Sequence, residues 1–314
     1  MAVEEHDFTP KNPTLQKIVR EELNETQTRI NESLEHIKEW LLKQPHITPR
    51  LDDKFLIGFL RTSKYSLEAT KSKLDTYFSF RSLAPEFFRD RDPYDIKLKG
   101  LLESGTYFPT PESHPDGSRV SVTVVSNLQK HDCGIIDIIR ITTMVNDRIC
   151  IYDDHLTIAG AHAVLDVEGC TIALATQVLQ LANKLALGIQ NAYPIRIKHF
   201  HLINVDKTPP IFQMVLKTFR TLFRDKMAQR ILIHDNLESL HKCVPKNILP
   251  NEYGGDAGTC AEISAQYILP IMLKSKEWLQ DDAQYKSDES KRVGQSKNND
   301  MFGIEGSFKK LEID

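Results

Sequence analysis

Segments with the composition of strands alternate with helix-like segments through the middle of the chain, and this alternation constrains the fold more than any other feature. Runs of β-branched and apolar residues predict strands at residues 120–125, 163–167, 195–205 and 230–234. Helical spacing of apolar residues marks residues 135–151, 171–189 and 210–224 between them. Strands separated by helices of this length form a largely parallel sheet, so we predict an α/β fold here.

A different pattern precedes this region. Apolar residues recur with a helical period over residues 14–44, and further helices are predicted after Thr48-Pro49 and from Ser66 to Pro85. Amphipathic helices bury their apolar faces by packing together, so a bundle of three to four helices is expected. We therefore predict an N-terminal helical domain at residues 1–100, an α/β domain at residues 101–279 and a C-terminal tail at residues 280–314, which begins polar and mobile.

Composition excludes several classes of protein. The 314 residues are 40% hydrophobic and 26% charged with a formal net charge of −3, which argues against a nucleic-acid partner. The acidic start lacks the features of a secretory signal. Five widely spaced cysteines indicate a reducing, cytoplasmic setting. The most apolar stretch, residues 172–189, is too polar for a bilayer span because it contains Gln177, Gln180, Asn183 and Lys184.

Motifs that carry catalysis are absent from the sequence. It has no nucleophile elbow, phosphate-binding loop, dinucleotide fingerprint or H-E-x-x-H motif, so we predict no enzymatic activity, no catalytic residue and no cofactor. His199 and His201 share one face of a predicted strand and could supply two metal ligands. No third ligand is evident, so no metal site is predicted. The run at residues 153–155 is interpreted as a solvated loop.

The helix predicted at residues 210–224 has a wide apolar face and a narrow basic stripe. Membrane-surface helices have this composition, and a core helix with a solvated basic edge is the alternative. Eight basic and two acidic residues lie between positions 196 and 230, and this local excess favours contact with an anionic membrane. The stripe consists of Gln213, Lys217, Arg220, Thr221 and Arg224.

Several motifs occur in the order and approximate spacing of a known family. They are VLDVEG at residues 164–169, HLIN at 201–204, PIF at 210–212 and LPNEYGG at 249–255, preceded by FLIGFLR at 55–61. This ordered set resembles the CRAL-TRIO lipid-binding family, and within it the tocopherol-binding and retinaldehyde-binding members. The resemblance covers roughly residues 15–279. It implies a closed apolar cavity floored by the sheet, with residues 210–223 as a mobile lid.

The resemblance also implies site residues. Thr142 and Asn146 are candidates for the polar end of a ligand, with a bond to a helix carbonyl as the alternative for each. The phosphoinositide-binding positions of the family's tocopherol-binding member fall on Arg61, Arg196, Lys226 and Arg230, with scattered surface charge as the alternative. The family's cavity positions fall on Ile139, Thr142, Asn146, Ala161, Leu165, Ile172, Leu185, Ile189 and Ile195, and on Phe212, Val215, Leu216 and Phe219 of the lid.

Two departures from the family pattern affect these expectations. The lid entry at residues 205–209 is longer than usual, which bears on the register of the lid helix. Cys170 and Gly188 are smaller than the residues of the family's tocopherol-binding member at these positions, which predicts a reshaped cavity.

The function implied is a lipid-transfer protein, cytoplasmic and peripheral at membranes. It would bind one isoprenoid-like ligand (a tocopherol, retinoid or carotenoid) and release it at phosphoinositide-containing membranes. The alternative is a phosphoinositide-recruited adaptor or trafficking regulator without lipid transfer.

Overall fold

The computed structural model describes residues 8–293. Fifteen α-helices and a five-stranded sheet form within these residues. The strands are β1 (Tyr107–Ser113), β2 (Arg119–Val124), β3 (Ala161–Asp166), β4 (Ile197–Ile203) and β5 (Ile231–Ile233). The helices are α1 (Pro13–Glu21), α2 (Gln27–Leu42), α3 (Asp53–Thr62), α4 (Leu67–Leu83), α5 (Pro85–Phe88), α6 (Ile96–Glu103), α7 (Asn127–Lys130), α8 (Ile135–Ile149), α9 (Ile172–Leu187), α10 (Phe212–Leu222), α11 (Asp225–Ala228), α12 (Leu237–His241), α13 (Cys260–Ile263), α14 (Leu269–Lys274) and α15 (Lys276–Asp282).

The sheet has the order β1-β2-β3-β4-β5 and is mainly parallel, which confirms the predicted α/β fold. Strands β2 to β5 pair in parallel, and β1 adds to the edge in antiparallel orientation. The four predicted strands correspond to β2, β3, β4 and β5. Strand β1 was not predicted because Pro109 and Pro111 interrupt its pattern. Proline lacks an N–H donor and is tolerated at the edge of a sheet, where β1 lies.

The N-terminal helices pack as predicted but with different ends. The pattern over residues 14–44 forms two helices, because the chain breaks at Asn24, whose φ of 50° lies in the left-handed region. Thr26 then caps α2 by accepting a hydrogen bond from the N–H of Arg29. The next helix begins at Asp53 rather than directly after Thr48-Pro49. Leu56, Phe59 and Phe78 form the buried centre of this bundle.

Helix α6 joins the bundle to the sheet. The predicted boundary at residue 100 falls inside this helix. Leu98 and Leu101 of α6 pack in the same core cluster as Val122 of β2. The helix therefore packs with the sheet.

The expected mobile tail is wrong for residues 280–293, which pack against the N-terminal helices. Ser287 N donates to Phe78 O at 3.1 Å. Arg292 forms an ion pair with Asp75 at 3.0 Å and with Glu289 at 2.6 Å. Ion pairs between charged side chains hold this segment in place, and amino-acid composition alone does not reveal such pairs. Residues 294–314 of the predicted tail lie outside the described residues.

Within residues 8–293, one helical segment, Ile172–Ala192, is long and apolar enough to cross a membrane by length and composition. It comprises α9 and the π-helical turn Gly188–Ala192. Ala175 of α9 packs in one cluster with Val215 of α10 and Leu202 of β4. About a third of the apolar window of this segment, 33%, is buried inside the structure.

Candidate functional site

The two faces of the sheet differ in how completely they are covered. Side chains alternate between the faces along each strand. On one face Val120, Val122 and Val164 are fully buried. On the opposite face Ala163 and Leu165 are only half-buried, although they belong to the middle strand β3. This face is therefore less completely covered than the opposite one.

Helices α8 and α10 lie over the half-buried face at its two sides. Tyr107 of β1 is paired with Thr123 of β2, and its hydroxyl donates to Asn146 Oδ1 of α8 at 2.6 Å. Leu165 and Phe200 pack against the cluster formed by α10. We call the space bounded by this face and by α8, α9 and α10 the chamber.

Five of the predicted cavity residues can be placed relative to the chamber. Ile139, Leu185 and Ile195 are half-buried and pack against the N-terminal core cluster, so they lie where the chamber meets the helical bundle. Ile189 is half-buried in the turn after α9, and Ala161 is buried at the start of β3. Half-buried apolar side chains on covered elements are the surfaces that an apolar guest would contact.

Ile172 does not fit the cavity prediction. It is the first residue of α9, and 65% of its surface is exposed to solvent. Thr171 caps the helix by accepting a hydrogen bond from Leu174 N at 3.2 Å, which fixes Ile172 in the first turn. Leu174 and Ala175, two and three residues later, are the first buried side chains of α9.

The two predicted polar partners, Thr142 and Asn146, differ in whether a hydrogen-bond donor remains for a guest. The hydroxyl of Thr142 donates to Ile138 O at 2.7 Å, so its proton is used within α8. Asn146 accepts from Tyr107 through Oδ1, and its Nδ2 makes no hydrogen bond to any described residue. Asn146 is therefore the stronger candidate donor to the polar end of a guest.

The lid predicted at residues 210–223 corresponds to α10. Phe212, Val215 and Leu216 are buried against Val167 and Leu202, and Phe219 is half-buried beside them. The longer entry forms a 3-10 turn at Val205–Lys207 and does not displace these four side chains from α10. All five members of the predicted basic stripe are exposed: Gln213, Lys217, Arg220, Thr221 and Arg224.

The packing of α10 is separate from the main cores. Its buried side chains share a small cluster with Val167, Ala175 and Leu202, distinct from the clusters of the sheet and of the helical bundle. A helix that packs in a small cluster of its own can move without opening either large core. Helix α10 is therefore suited to act as a lid.

A group of cations lies beside the chamber where the bundle meets the sheet. Burial lowers the pKa of Lys73 to about 8, and the charges of Arg196 and Arg224 add to the effect. Burial and Arg196 also lower the pKa of Arg230. Among the described residues, none of these four side chains has a carboxylate partner. We call Lys73, Arg196, Arg224 and Arg230 the basic cluster.

The basic cluster contains two of the four predicted phosphoinositide-binding residues, Arg196 and Arg230. Lys226 is exposed on the short helix α11, two residues after Arg224. Lys73 was not predicted from the sequence because it lies on α4, far along the chain from the other members of the basic cluster. No local signal marks it, since only the fold brings it to Tyr193, whose carbonyl accepts from Lys73 Nζ at 3.3 Å.

Arg61 does not fit the phosphoinositide prediction. Its side chain is 1% exposed, and its guanidinium makes two hydrogen bonds to Glu25, at 2.8 and 2.9 Å. It also donates to Asp154 Oδ1 at 2.6 Å and to Phe8 O at 2.7 Å. With these groups satisfying its donors, Arg61 acts as a buried structural cation.

A half-buried apolar sheet face beside an amphipathic helix is the arrangement of proteins that hold a hydrophobic guest. Comparisons with known proteins agree with this class. Residues 26–98 match the model described as "Pinta-like, UBA domain", and residues 103–255 match "CRAL/TRIO domain". The chain belongs to the CRAL/TRIO family of lipid-binding and lipid-transfer proteins.

Individual relatives cover most of the chain. It is 30% identical over 264 residues to mouse alpha-tocopherol transfer protein-like, covering 80% of this chain and 74% of that protein. It is 28% identical over 258 residues to human clavesin-2, covering 79% of this chain and 77% of that protein. A solved structure titled "Crystal structure of Sfh5" aligns with 12% identity and a TM-score of 0.49, covering 85% of this chain and 99% of that chain. Members of the family are lipid-transfer proteins rather than enzymes.

Proposed function

We propose that this protein carries one isoprenoid-like lipid, such as a tocopherol, retinoid or carotenoid, in the chamber. It releases the lipid at phosphoinositide-containing membranes. The protein works in the cytoplasm, binds membranes peripherally and catalyses no covalent step.

The half-buried state of Ala163 and Leu165 carries this proposal. A central strand covered by helices normally buries both of its faces, as the opposite face of this sheet does at Val122 and Val164. An apolar guest above β3 would complete the burial. At about 25 cal/mol per Å², covering roughly 300 Å² of apolar surface would contribute about 7 kcal/mol to binding.

The lid supports the exchange step. Its exposed surface presents Lys217 and Arg220 beside Met214, whose side chain is 58% exposed. Cations on one face of an amphipathic helix attract an anionic leaflet, and an exposed apolar side chain can enter the acyl boundary. Contact with a membrane would then compensate α10 for losing its packing against Leu202.

The basic cluster supports the choice of membrane. Four cations without a carboxylate partner within residues 8–293 favour an anion, and arginine side chains suit phosphate oxygens through paired N–H donors. The partly buried Lys73 would gain most, because a phosphate would offset the desolvation of its ammonium group.

Transfer between vesicles tests this proposal. Donor vesicles hold α-tocopherol or retinol, and acceptor vesicles are prepared with and without phosphatidylinositol bisphosphate. We expect wild-type protein to accelerate transfer, and faster with the phosphoinositide present. Ala163→Trp should fill the chamber and slow transfer at least tenfold, while Ala261→Trp, at an exposed position on α13, serves as the matched control.

The same assay separates carriage from recruitment. If Arg196→Gln abolishes vesicle binding but wild-type protein moves no lipid, an adaptor function replaces the proposal. If Ala163→Trp transfers lipid as fast as wild type, the chamber is not the binding site.

A further inference from the structure

A cluster of histidines occupies the sheet face opposite the chamber. His162 lies between Val120 of β2 and His199 of β4 in the strand register, and His201 follows on the same face of β4. The ring centroids of His162 and His199 are 5.3 Å apart, as are those of His162 and His201. His201 is fully buried, His162 is 5% exposed and His199 is half-buried. Side-chain alternation directs these rings away from Leu165 and Leu202, so the cluster is separate from the lipid site.

The nitrogens of these rings are close enough to share one ion. One ring nitrogen from each of His162, His199 and His201 lies within 4.8 Å of those of the other two. His162 Nδ1 and His201 Nε2 are 3.0 Å apart and share a hydrogen bond, which ligation of one ion by both rings would replace. Two ligands bound to one tetrahedral zinc ion at about 2.0–2.1 Å lie roughly 3.3 Å from each other. Small side-chain rotations therefore separate this arrangement from a coordination shell.

Two buried nitrogens in the cluster, His162 Nε2 and His199 Nδ1, make no hydrogen bond to any residue within 8–293. His162 Nε2 lies 3.6 Å from Asp116 Oδ2. A buried polar atom without a partner costs about 1–3 kcal/mol, which folded proteins generally avoid. Imidazole nitrogens are metal ligands by chemistry, and a bound ion would give such a nitrogen a partner.

We propose that His162, His199 and His201 bind one divalent transition-metal ion, which is zinc or another ion that imidazole ligands suit. Neutral imidazole is a suitable donor for Zn²⁺, Cu²⁺ and Ni²⁺. Three histidines also leave a fourth coordination position for water or a further group.

Groups around the cluster fit this assignment. His201 Nδ1 lies 3.0 Å from His234 Nε2, and this contact would orient the His201 ring as second-layer bonds do in metal sites. His114 and Asp116 lie beside His162, so a carboxylate is available near the site. Lys198 donates to Asp116 Oδ2 at 2.6 Å, and the Asp116 carboxylate compensates the positive charge of Lys198.

Metal titration of the full chain, free of any affinity tag, tests the proposal. Metal-free protein is titrated with Co²⁺, whose visible absorption reports coordination geometry, and with Zn²⁺ followed by dialysis and elemental analysis. We expect one ion per chain and a zinc-dependent rise in the unfolding temperature. His199→Ala, at a half-exposed position, should weaken binding at least tenfold and remove that rise.

His36→Ala, at an exposed position on α2, is the matched control and should bind as wild type does. His162→Gln provides a second test if it folds. Absence of binding by wild-type protein would overturn the proposal. Binding that His199→Ala leaves unchanged would also overturn it, because the ion would then be adventitious. Either result leaves the lipid site unaffected.

Discussion

The hydroxyl of Tyr107 donates a hydrogen bond to Asn146 Oδ1 at 2.6 Å and so ties the edge strand β1 to α8 beside the chamber. This bond fixes the orientation of the Asn146 amide, because Oδ1 must accept and Nδ2 is left to donate. A ligand with a hydroxyl or carbonyl oxygen can accept that donor, whereas a pure hydrocarbon cannot.

We therefore expect Asn146→Leu to weaken binding of retinol about fivefold to tenfold, the loss of one hydrogen bond worth about 1 kcal/mol. Equilibrium titration followed by retinol fluorescence measures this change. Thr142→Val is the control and should change affinity little, since the Thr142 hydroxyl already donates to Ile138 O. A larger loss in Thr142→Val than in Asn146→Leu would contradict this assignment.

Loosening the lid should accelerate exchange. Leu216→Ala removes packing against the small cluster that includes Val167 and Leu202, and large-to-small changes at buried leucines typically cost about 2–5 kcal/mol. Because this cost falls on the closed state of α10, we expect faster release of bound α-tocopherol with the two main cores intact. Stopped-flow transfer to vesicles measures the rate. Met214→Ala, on the exposed side of the same helix, should not accelerate release; equal acceleration in both variants would contradict the account.

Arg61 should contribute to stability rather than to membrane recognition. Arg61→Met leaves the Glu25 carboxylate, 4% exposed, without its partner, and breaking a buried pair costs about 3–5 kcal/mol. Urea denaturation measures the loss, and Glu25→Gln added to Arg61→Met should recover part of it. If Arg61→Met kept wild-type stability but lost binding to phosphoinositide vesicles, the original prediction for Arg61 would be restored.

Lys73 should make stability depend on pH in the alkaline range. Burial lowers the pKa of Lys73 to about 8 in the folded protein, against an ordinary value of 10.5. Between these values the unfolded chain holds more protons, so the contribution of neutral Lys73 is fully present above about pH 10.5 and is lost as the pH falls through about 8. Lys73→Met should therefore be more stable than wild type near pH 7, and this advantage should shrink towards about pH 10.

Denaturation at several pH values measures that difference. Lys71→Met is the control, because Lys71 forms a surface ion pair with Glu68 at 2.8 Å. A difference between Lys73→Met and wild type that stays constant with pH would contradict the shifted pKa.

Much of the fold could be predicted from the sequence because its elements are strongly periodic. The spacing of apolar residues within each parallel strand and each connecting helix is enough to identify that element. Strand β1 was not predicted, because Pro109 and Pro111 are compatible only with an edge strand. Which strand lies at the edge depends on the complete sheet. The segment around Arg292 escaped because its order comes from the distant Asp75.

Site residues that lie on a single helix could be predicted from the sequence. Site residues that come together from several elements were harder to predict. The two faces of α10 follow from the spacing of Phe212, Val215 and Leu216, and the structure places them as the spacing requires. Lys73 joins the basic cluster only through the packing of α4 against the turn after α9. Arg61 occupies a position that the family motif marks, yet the buried carboxylate of Glu25 determines its role here.

Native mass spectrometry of the full chain after incubation with α-tocopherol vesicles and removal of the vesicles tests the central claim most directly. We predict a complex of one lipid per chain for wild type and for Ala261→Trp, and mostly lipid-free protein for Ala163→Trp. Wild-type protein that stays free of lipid with α-tocopherol, retinol and carotenoid vesicles alike would contradict an apolar chamber beneath α10.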